Sequence, residues 1–407
     1  MPVPPQVAEE IVRIAQTGEP QKGYKFRDLL FQHVVTYWSE ATLDNLVYAF
    51  DTLRALWPVV ETGDVFPEAR QYGDPTFRRQ FKGWILQHFD YKTGGVFHSR
   101  TAGWPSPYAA LMALIAVMYL ANPETGTLKR AQLTRRAFDD YLGVDFVEPL
   151  VQFIRRLENS TTGGFSEAPD GPVGSITTST CCEILKHLDE PLKYPVKTAS
   201  LLKSPWKIHQ QKFFACANSV GEDPPGIVPV RYNLRVWLRH LRKTAQQPDA
   251  GRNLSDLLDE NADGIVQFVK ECQKDGGYAL SPLEEPSVVP TAHVVALRRD
   301  LDDAIQDGYR PKWANDLIKI TDHDPSSTLG FLLQQSKKGF FSWIKACEPN
   351  LYSLRAAARI WDALYQQKSR LTDAEKTRLD FLGLSMLSAL QAFWQPESRL
   401  FTGYRSK

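Results

Sequence analysis

Apolar residues recur along the chain at the three-to-four-residue spacing of helices, in two alternating sets of segments. One set predicts inner helices at 107–121, 176–188, 230–243, 289–303 and 350–367. The other set predicts outer helices at 75–90, 145–158, 206–218, 257–273, 325–336 and 376–395. The segment from Thr42 to Trp57 supplies a sixth inner helix, with Thr42 as its N-cap. The pattern therefore predicts an all-α protein in which outer and inner helices alternate.

A short polar segment with two glycines, or a remnant of them, follows each predicted outer helix and ends near an aromatic residue. The copies end at Phe97, Phe165, Tyr278 and Phe341, with a worn copy at Phe401. The interval from Phe165 to Tyr278 is about twice the others, and a degenerate copy ending at Val228 fills it. Glycine at the end of a helix adopts the left-handed conformation that lets the chain reverse.

Six copies of this unit predict an (α/α)6 toroid, which is a closed ring of six helical hairpins. The repeats occupy residues 42–404, and residues 1–41 form an N-terminal extension packed on the ring. We expect residues 1–407 to form a single domain, because a closed ring leaves no open end that needs a cap.

The glycine-aromatic turns and glutamine-rich helix ends resemble the repeats of protein prenyltransferase β subunits and of squalene-hopene-type cyclases. The resemblance covers residues 42 to 404 and lies in the repeats, not in the catalytic motifs. It implies a toroid with a central cavity and a small apolar or isoprenoid-like substrate.

The zinc ligands of the prenyltransferase β subunits are missing from this sequence. Those subunits use an Asp-x-Cys motif and a His that precedes a Thr, because zinc is held by thiolate, imidazole and carboxylate groups. Cys181 matches the cysteine, but Ser179 replaces the aspartate and Pro290 precedes Thr291. We therefore predict no metal and no cofactor, and we expect Cys181 to be a core residue.

The sequence Asp300-Leu301-Asp302-Asp303 matches the DxDD motif with which class II terpene cyclases protonate an alkene or epoxide. In those enzymes the motif lies at the start of an inner helix, whereas here it follows HVVALRR near the end of one. We therefore expect a solvated acidic cluster at the end of the ring opposite to the site. The sequence contains no DDxxD, P-loop, GxSxG or HExxH motif.

The inner helices are expected to run in the same direction, so their N-termini and positive dipole ends share one rim. The carboxylates expected there, as proton donors, are Asp170, Glu285 and Glu348. Capping of the following helix is the alternative role for Asp170 and Glu348. The substrate-binding candidates at the same rim are His98, Trp104, Tyr108, Thr177, His293, Trp343, Tyr352 and Arg355.

Charge and composition exclude several classes of partner. The 48 Lys and Arg residues nearly balance the 47 Asp and Glu residues, so no net field attracts nucleic acid. The first residues lack the pattern of a secretory signal, and the apolar run from Tyr108 to Leu120 is too short to cross a bilayer. An odd number of cysteines without CxxC spacing indicates reduced thiols. We therefore expect a soluble, cytoplasmic protein without stable membrane insertion.

Three functions are compatible with the predicted ring. The first is an atypical terpenoid or polyene cyclase or isomerase of specialised metabolism, which starts its reaction with an acid in the central cavity. The second is a hydrolase or lyase acting on sugars, because (α/α)6 rings also carry those reactions. The third is a binding subunit without catalysis, similar to a prenyltransferase β subunit that has lost its zinc and retains a partner subunit.

Overall fold

The computed structural model describes residues 41–62, 64–98, 105–171, 173–208, 217–218, 221–222, 226–241, 262–322, 324–342 and 348–403. The predicted extension at 1–41 lies outside these residues except for Ala41. The candidates Trp104 and Trp343 also lie outside them. Helices make up most of the described chain, which confirms the all-α class.

The helices are α1 Leu43–Ala55, α2 Trp57–Thr62, α3 Pro75–Arg79, α4 Lys82–Leu86, α5 Pro107–Leu120, α6 Arg135–Leu142, α7 Val147–Arg156, α8 Ser175–His187, α9 Pro195–Ile208, α10 Ile227–Val236, α11 Ala262–Glu271, α12 Val288–Gln306, α13 Ala314–Thr321, α14 Pro325–Gln335, α15 Leu351–Gln366 and α16 Asp373–Gln391. Short 3-10 turns occupy Pro67–Gly73 and Lys368–Arg370, and a π-helical turn, Trp237–Leu241, continues α10.

Six helices pack side by side in cyclic order around the centre of the molecule. Helix α1 contacts α5, α5 contacts α8, α8 contacts α10, α10 contacts α12, α12 contacts α15, and α15 contacts α1. These are the six predicted inner helices. Helix α5 is almost entirely buried, in accordance with its uninterrupted apolar sequence.

Local sequence signals account for the starts of these helices. The Thr42 side chain accepts a hydrogen bond from the Asn45 N–H, which confirms Thr42 as the N-cap of α1. Ser106 caps α5 in the same way. On the outer layer, Thr372 and Glu375 form a reciprocal capping box at the start of α16.

Small antiparallel strand pairs form the turns between outer and inner helices. The strands are β1 Phe165–Ser166, β2 Val173–Gly174, β3 Ala217–Asn218, β4 Gly221–Glu222, β5 Gln273–Lys274, β6 Gly277–Ala279, β7 Pro286–Ser287, β8 Trp394–Gln395 and β9 Leu400–Phe401. The pairs are β1 with β2, β3 with β4, β5 with β6, β6 with β7, and β8 with β9. Isolated bridges join Phe89 to Val96 and Lys337 to Phe340 in the corresponding turns.

The glycines of the repeated turns occupy left-handed positions. Gly94, Gly163, Gly276 and Gly339 have φ angles of 76°, 68°, 79° and 84°. In the worn copy, Arg399 takes this conformation with a φ of 56°. A Cβ atom at Gly339 would lie 2.1 Å from the Ser385 carbonyl oxygen, so this turn requires glycine for space as well as for conformation.

The last turn lies beside the first helix. Strand β9 contacts α1, and the Leu351 N–H donates to the Gly403 carbonyl. The Tyr72 hydroxyl donates to the Arg399 carbonyl, which links the 3-10 turn Pro67–Gly73 to the same last turn.

Three predicted helices have different bounds in the structure. The outer helix expected at 75–90 is divided into α3 and α4. Most of the helix expected at 206–218 lies outside the described residues; its first residues belong to α9, Pro195–Ile208, and its last two form β3, Ala217–Asn218, instead of helix. The inner helix expected at 230–243 starts at Ile227 and changes to π geometry at Trp237.

Candidate functional site

A cavity of about 590 Å³ lies between five of the six central helices, α1, α5, α10, α12 and α15. Toward the helix starts, its wall consists of aromatic and apolar side chains, namely Tyr108, Leu111, Met112, Ile115, Tyr232, Ala292, His293, Val295, Ala296 and Tyr352. The charged side chains of the wall are Arg54, Lys129, Arg130, Arg231, Arg235, Arg239, Arg299, Asp300, Asp302, Asp303, Arg355 and Arg359; most of them lie farther along the helices, but Arg231 and Arg355 lie near the starts of α10 and α15. We call these two groups the aromatic end and the arginine end.

One buried carboxylate organises one side of the arginine end. Asp51 on α1 is fully buried and forms ion pairs with Arg130, Arg355 and Arg359. The Tyr119 hydroxyl also donates to it. Burial opposes ionisation of Asp51, but the three guanidinium groups hold the pKa of its carboxyl well below the usual range. One negative charge thus faces three positive charges.

A second network occupies the opposite side of the arginine end. The arginines at 231, 235 and 239 follow one another at intervals of four residues, so they share one face of α10 and its π-helical extension. Arg235 pairs with Glu183 at 2.7 Å. Arg239 pairs with Asp300 at 2.6 Å, and Arg231 reaches the same carboxylate at 3.2 Å.

Positive charge exceeds negative charge at the arginine end. Eight arginines line the cavity, whereas five carboxylates pair with them, namely Asp51, Glu183, Asp300, Asp303 and Asp362. The other charged wall residues form neutral pairs, Lys129 with Glu124 and Asp302 with Arg298. Burial lowers the pKa of both Arg235 and Arg359 to about 10, and neighbouring arginines add to this effect. An anion in the cavity would relieve this repulsion.

Several arginine donors at this end have no hydrogen-bond partner among the described residues. They are the buried Nε atoms of Arg54, Arg130, Arg231 and Arg235. A buried N–H group without a partner costs free energy, so these arginines are held at a cost in stability.

Hydroxyl groups and one imidazole converge at the aromatic end. The Tyr108 hydroxyl lies 2.7 Å from that of Tyr48, and His293 Nε2 lies 3.4 Å from the Tyr352 hydroxyl. Burial raises the pKa of Tyr108, which keeps its hydroxyl neutral. Burial and the nearby Arg231, together with three further arginines, place the pKa of His293 well below its ordinary value. The His293 ring is therefore neutral at physiological pH.

Four of the predicted substrate-binding residues meet in this cavity: Tyr108, His293, Tyr352 and Arg355. His98 lies beside the Tyr108 ring and contacts Asp44 and Ser106, but it does not line the cavity itself. Thr177 is buried and donates to Glu167 at 2.5 Å. It is not a wall residue of the cavity.

The three predicted proton donors do not meet in the cavity. Asp170, Glu285 and Glu348 are exposed on the connections that precede the inner helices, and none of them lines the central cavity. The alternative role of Asp170 and Glu348 as caps is also wrong for the helices that follow. Gly174 occupies the N-cap position of α8, and the Asn350 side chain caps α15.

The DLDD segment lies near the end of α12, as predicted, but it is solvated only in part, since the Asp303 side chain is 62% exposed whereas Asp300 is buried. Asp300 is only 2% exposed and is paired with arginines. Asp302 and Asp303 also line the cavity. Asp302 accepts two hydrogen bonds from Arg298 Nε, and Asp303 pairs with Arg239. All three carboxylates therefore face cations.

Sequence reasoning missed most of the arginine end. A usable signal was present, because Arg231, Arg235 and Arg239 lie on one face of an inner helix, and the pair Arg355 and Arg359 repeats this spacing on α15. Charged residues at helical spacing inside an apolar helix indicate a polar site, since charges are seldom buried without a partner.

Neither a metal site nor a membrane-spanning helix is found in the described part of the chain. No group of three or more His, Cys, Asp or Glu residues there could hold a metal ion. Cys181 is buried, and burial raises the pKa of its thiol. Within the same residues, no helix combines the length and the apolar character needed to span a membrane. The sequence matches no protein-family model and no curated protein.

Proposed function

We propose that the chain is a closed toroid of six helical hairpins and that it acts as a terpenoid-type cyclase or isomerase on a phosphorylated isoprenoid. The cyclic contacts of the six inner helices and the repeated strand-paired turns support the toroid. The observation that carries the function is the division of one cavity into an arginine end and an aromatic end. An amphiphile with a polyanionic head and an apolar chain is complementary to both ends.

The arginine end would hold the diphosphate group of such a substrate. Arginine presents several donors in a planar fork that matches phosphate oxygens. Eight arginines line the cavity and five carboxylates pair with them, so three positive charges are left to bind a diphosphate. Arg54 lines the cavity and forms no ion pair with a carboxylate among the described residues, although the nearby Tyr119, Asp51 and Asp362 raise its pKa. The isoprenoid chain would then lie among Tyr108, Tyr232 and Tyr352.

The charge pattern favours loss of the diphosphate over protonation as the first step. Each carboxylate of the described cavity wall forms an ion pair with an arginine, so none of them stands unpaired beside a substrate. In the proposed step, the bond between the first prenyl carbon and oxygen breaks and its electron pair leaves with the diphosphate. The arginines stabilise the leaving group, and the tyrosine ring faces stabilise the remaining allylic cation.

This function is tested with geranyl, farnesyl and geranylgeranyl diphosphate. We expect release of inorganic diphosphate together with a hydrocarbon or alcohol product from at least one of them. Replacement of Arg54 with Gln should lower kcat/KM about 10- to 100-fold, because one charge-assisted hydrogen bond contributes roughly 1.5–3 kcal/mol. Lys319→Gln, at an exposed pair with Asp316, is the matched control and should leave turnover unchanged.

Two results would contradict this function in different ways. If no diphosphate were bound or released, the proposed substrate class would be wrong. If a prenyl diphosphate were bound tightly and released unchanged, the chain would be a binding subunit of the prenyltransferase-β type. If the protein acted only on the corresponding alcohols or epoxides, the acid-initiated reaction expected from the sequence would be favoured instead.

A lyase acting on anionic sugars is the second candidate. It is favoured by one observation, namely that neutral His293 lies close to the Tyr352 hydroxyl and to several arginines. An arginine could neutralise a uronate carboxylate while the imidazole removes the neighbouring proton. Formation of unsaturated sugars from uronate oligosaccharides would support this function. A hydrolase is less suited, because Asp300, Asp302 and Asp303 share one helix instead of facing each other.

The three described cysteines, Cys181, Cys182 and Cys272, are free thiols. We infer a cytoplasmic location from them, since free thiols persist in reducing compartments.

A further inference from the structure

We propose that Ser106, His98 and Asp44 form a second catalytic site, a serine-hydrolase triad that cleaves carboxylic esters beside the aromatic end of the cavity. This activity goes beyond the proposed function and does not depend on it, because no diphosphate takes part. The Ser106 hydroxyl oxygen lies 2.8 Å from His98 Nε2, and His98 Nδ1 lies 3.2 Å from the Asp44 carboxylate. A nucleophile, a base and an orienting carboxylate therefore follow one another at hydrogen-bond distances.

Three different segments of the chain hold these side chains in place. Asp44 lies in the first turn of α1, and Ser106 occupies the N-cap position of α5, which packs against α1. His98 follows the bridge of the first repeated turn, in which Val96 pairs with Phe89. The Ser106 N–H donates to the Val96 carbonyl at 2.9 Å, so the nucleophile is attached to the backbone that carries the base. Packing assembles the triad, which is therefore recognised by its geometry and not by a motif such as GxSxG.

Burial differs along the triad in the way that such a site requires. The Asp44 side chain is 2% exposed, whereas the His98 side chain is 36% exposed and Ser106 is partly exposed. Burial lowers the pKa of His98, but Asp44 and the nearby Glu167 raise it, and the net shift is upward. The shielded Asp44 carboxylate therefore stabilises the imidazolium that forms when the base accepts the Ser106 proton.

The start of α5 favours the negative charge that develops on the substrate carbonyl oxygen. The Ala109 N–H already donates to the Ser106 oxygen at 3.1 Å, and Pro107 has no N–H. Tyr108 lies in the first turn, where a backbone N–H has no carbonyl acceptor within the helix. The helix contains 14 residues, so its dipole places partial positive charge at this end. The Tyr108 N–H is the oxyanion donor in this arrangement.

The side chains next to the triad favour an ester with an apolar acyl chain. The centroids of the His98 and Tyr108 rings lie 5.7 Å apart, and Tyr108 lines the central cavity. Leu111 and Met112, one turn farther along α5, line the same part of the cavity. An acyl chain that packs against these residues replaces water at an apolar surface, whereas a charged chain gains nothing there.

The proposed reaction balances in two half-reactions, with water as the co-reactant. In the first, the Ser106 oxygen forms a bond to the carbonyl carbon, and its proton passes to His98 Nε2. The bond between this carbon and the alcohol oxygen then breaks, and the imidazolium gives the proton to the leaving alkoxide. In the second, water attacks the acyl-serine with His98 as base, and the acid leaves as the proton returns to the serine oxygen.

Labelling with a fluorophosphonate and hydrolysis of p-nitrophenyl butyrate test this site in the full chain. We expect the phosphonyl group on Ser106, located by peptide mass spectrometry, and steady release of p-nitrophenol. Ser106→Asn should abolish both, because asparagine keeps the cap of α5 but has no hydroxyl. His98→Gln should lower the labelling rate and kcat by about 100-fold or more, since a general base contributes roughly 10²- to 10⁴-fold. This second variant leaves the α5 cap intact.

Asp44→Asn tests the positioning role of the carboxylate, because an amide does not stabilise the imidazolium. It should lower kcat by about 100-fold or more and leave KM within about threefold, a split that a general loss of structure does not give. Ser327→Ala is the matched control, since the Ser327 hydroxyl lies at the start of α14 and donates to the Asp324 carboxylate. It should keep the labelling and turnover of the wild type.

The outcomes separate this site from the proposed function. If the wild type were not labelled at Ser106, or if folded Ser106→Asn protein kept the turnover of the wild type, the triad would be wrong whether or not prenyl diphosphates react. If Ser106 were labelled and the ester hydrolysed while no prenyl diphosphate released diphosphate, the triad would stand and the proposed function would fail.

Discussion

Replacement of Asp51 with Asn probes the charge balance at the centre of the molecule. Asp51 is fully buried, and its two oxygens pair with three arginines contributed by α15 and by the segment after α5. The variant keeps the size of the side chain and one acceptor oxygen. It removes the negative charge that these arginines share, so three cations would remain in a largely desolvated position.

The expected loss of stability is large. Removal of one partner from a buried ion pair costs about 3–5 kcal/mol, because the remaining charge is left without compensation. The hydrogen bond from Tyr119 would also weaken. Since whole domains are stable by only about 5–15 kcal/mol, a change of this size should be plain in equilibrium unfolding by urea. Asp64→Asn is the control, because Asp64 is 97% exposed and should leave the midpoint unchanged.

The pH dependence of stability gives an independent check that ionised Asp51 stabilises the folded state. The folded-state pKa of Asp51 is lowered, so the unfolded state binds its proton first as the pH falls. The stability contributed by Asp51 is therefore fully present above the unfolded pKa of roughly 3.9 and is lost as the pH falls further. The Asn variant should lack this part of the acid unfolding.

An added anion provides the decisive comparison. Inorganic diphosphate should stabilise the Asp51→Asn variant more than the wild type, because the variant has one more uncompensated positive charge in the cavity. The reasoning would be refuted if the variant were as stable as the wild type in urea, or if diphosphate stabilised neither protein.

Three further predictions concern the glycine turns, the pKa of His293 and the arginine end of the cavity. Gly339→Ala should destabilise the fold by more than 1 kcal/mol in urea unfolding, because its φ is positive and Ser385 blocks a Cβ atom. Gly330→Ala, in α14 with nothing near the added Cβ, should be neutral or stabilising by up to about 1 kcal/mol; equal losses would contradict this account. The pKa of His293 is lowered, so its NMR titration should fall below pH 6.5, and its contribution to stability should decrease as the pH drops below that value. A midpoint at or above 6.5 would contradict the burial of the ring among cations. In calorimetry, Arg54→Gln should weaken inorganic diphosphate binding about 10- to 100-fold and reduce its salt dependence, whereas unchanged affinity would place the anion elsewhere.

The repeat of helix and turn was predictable because its signals are local. The glycines before Phe97 and Phe165 reflect a left-handed position that a single residue type serves well, and this requirement is visible in the sequence. The first inner helix could be predicted from the cap at Thr42 and its apolar stripe. The region from 195 to 241 was predicted less well, since Trp237–Leu241 is π-helical and the pattern has no clear period there.

The aromatic end of the cavity was partly predictable, whereas the arginine end was not. Tyr108 and Tyr352 lie in the first turn of their helices, where the expected rim placed them. Asp51 and its arginines are far apart in sequence, and only the packing of α1 against α15 brings them together. Exposed carboxylates such as Glu285 gave a misleading signal, because a residue type alone does not show whether a side chain faces the cavity or water.

Equilibrium binding of geranylgeranyl diphosphate and of geranylgeraniol to the full chain tests the central claim most directly. Both ligands have the same apolar chain, so their difference in affinity isolates the head group. We predict that the diphosphate binds at least 100-fold more tightly, and that this advantage decreases between about 0.1 and 0.5 M salt and in Arg54→Gln. Equal affinity for the two ligands, or a preference for the alcohol, would show that the arginine end does not bind the phosphorylated head.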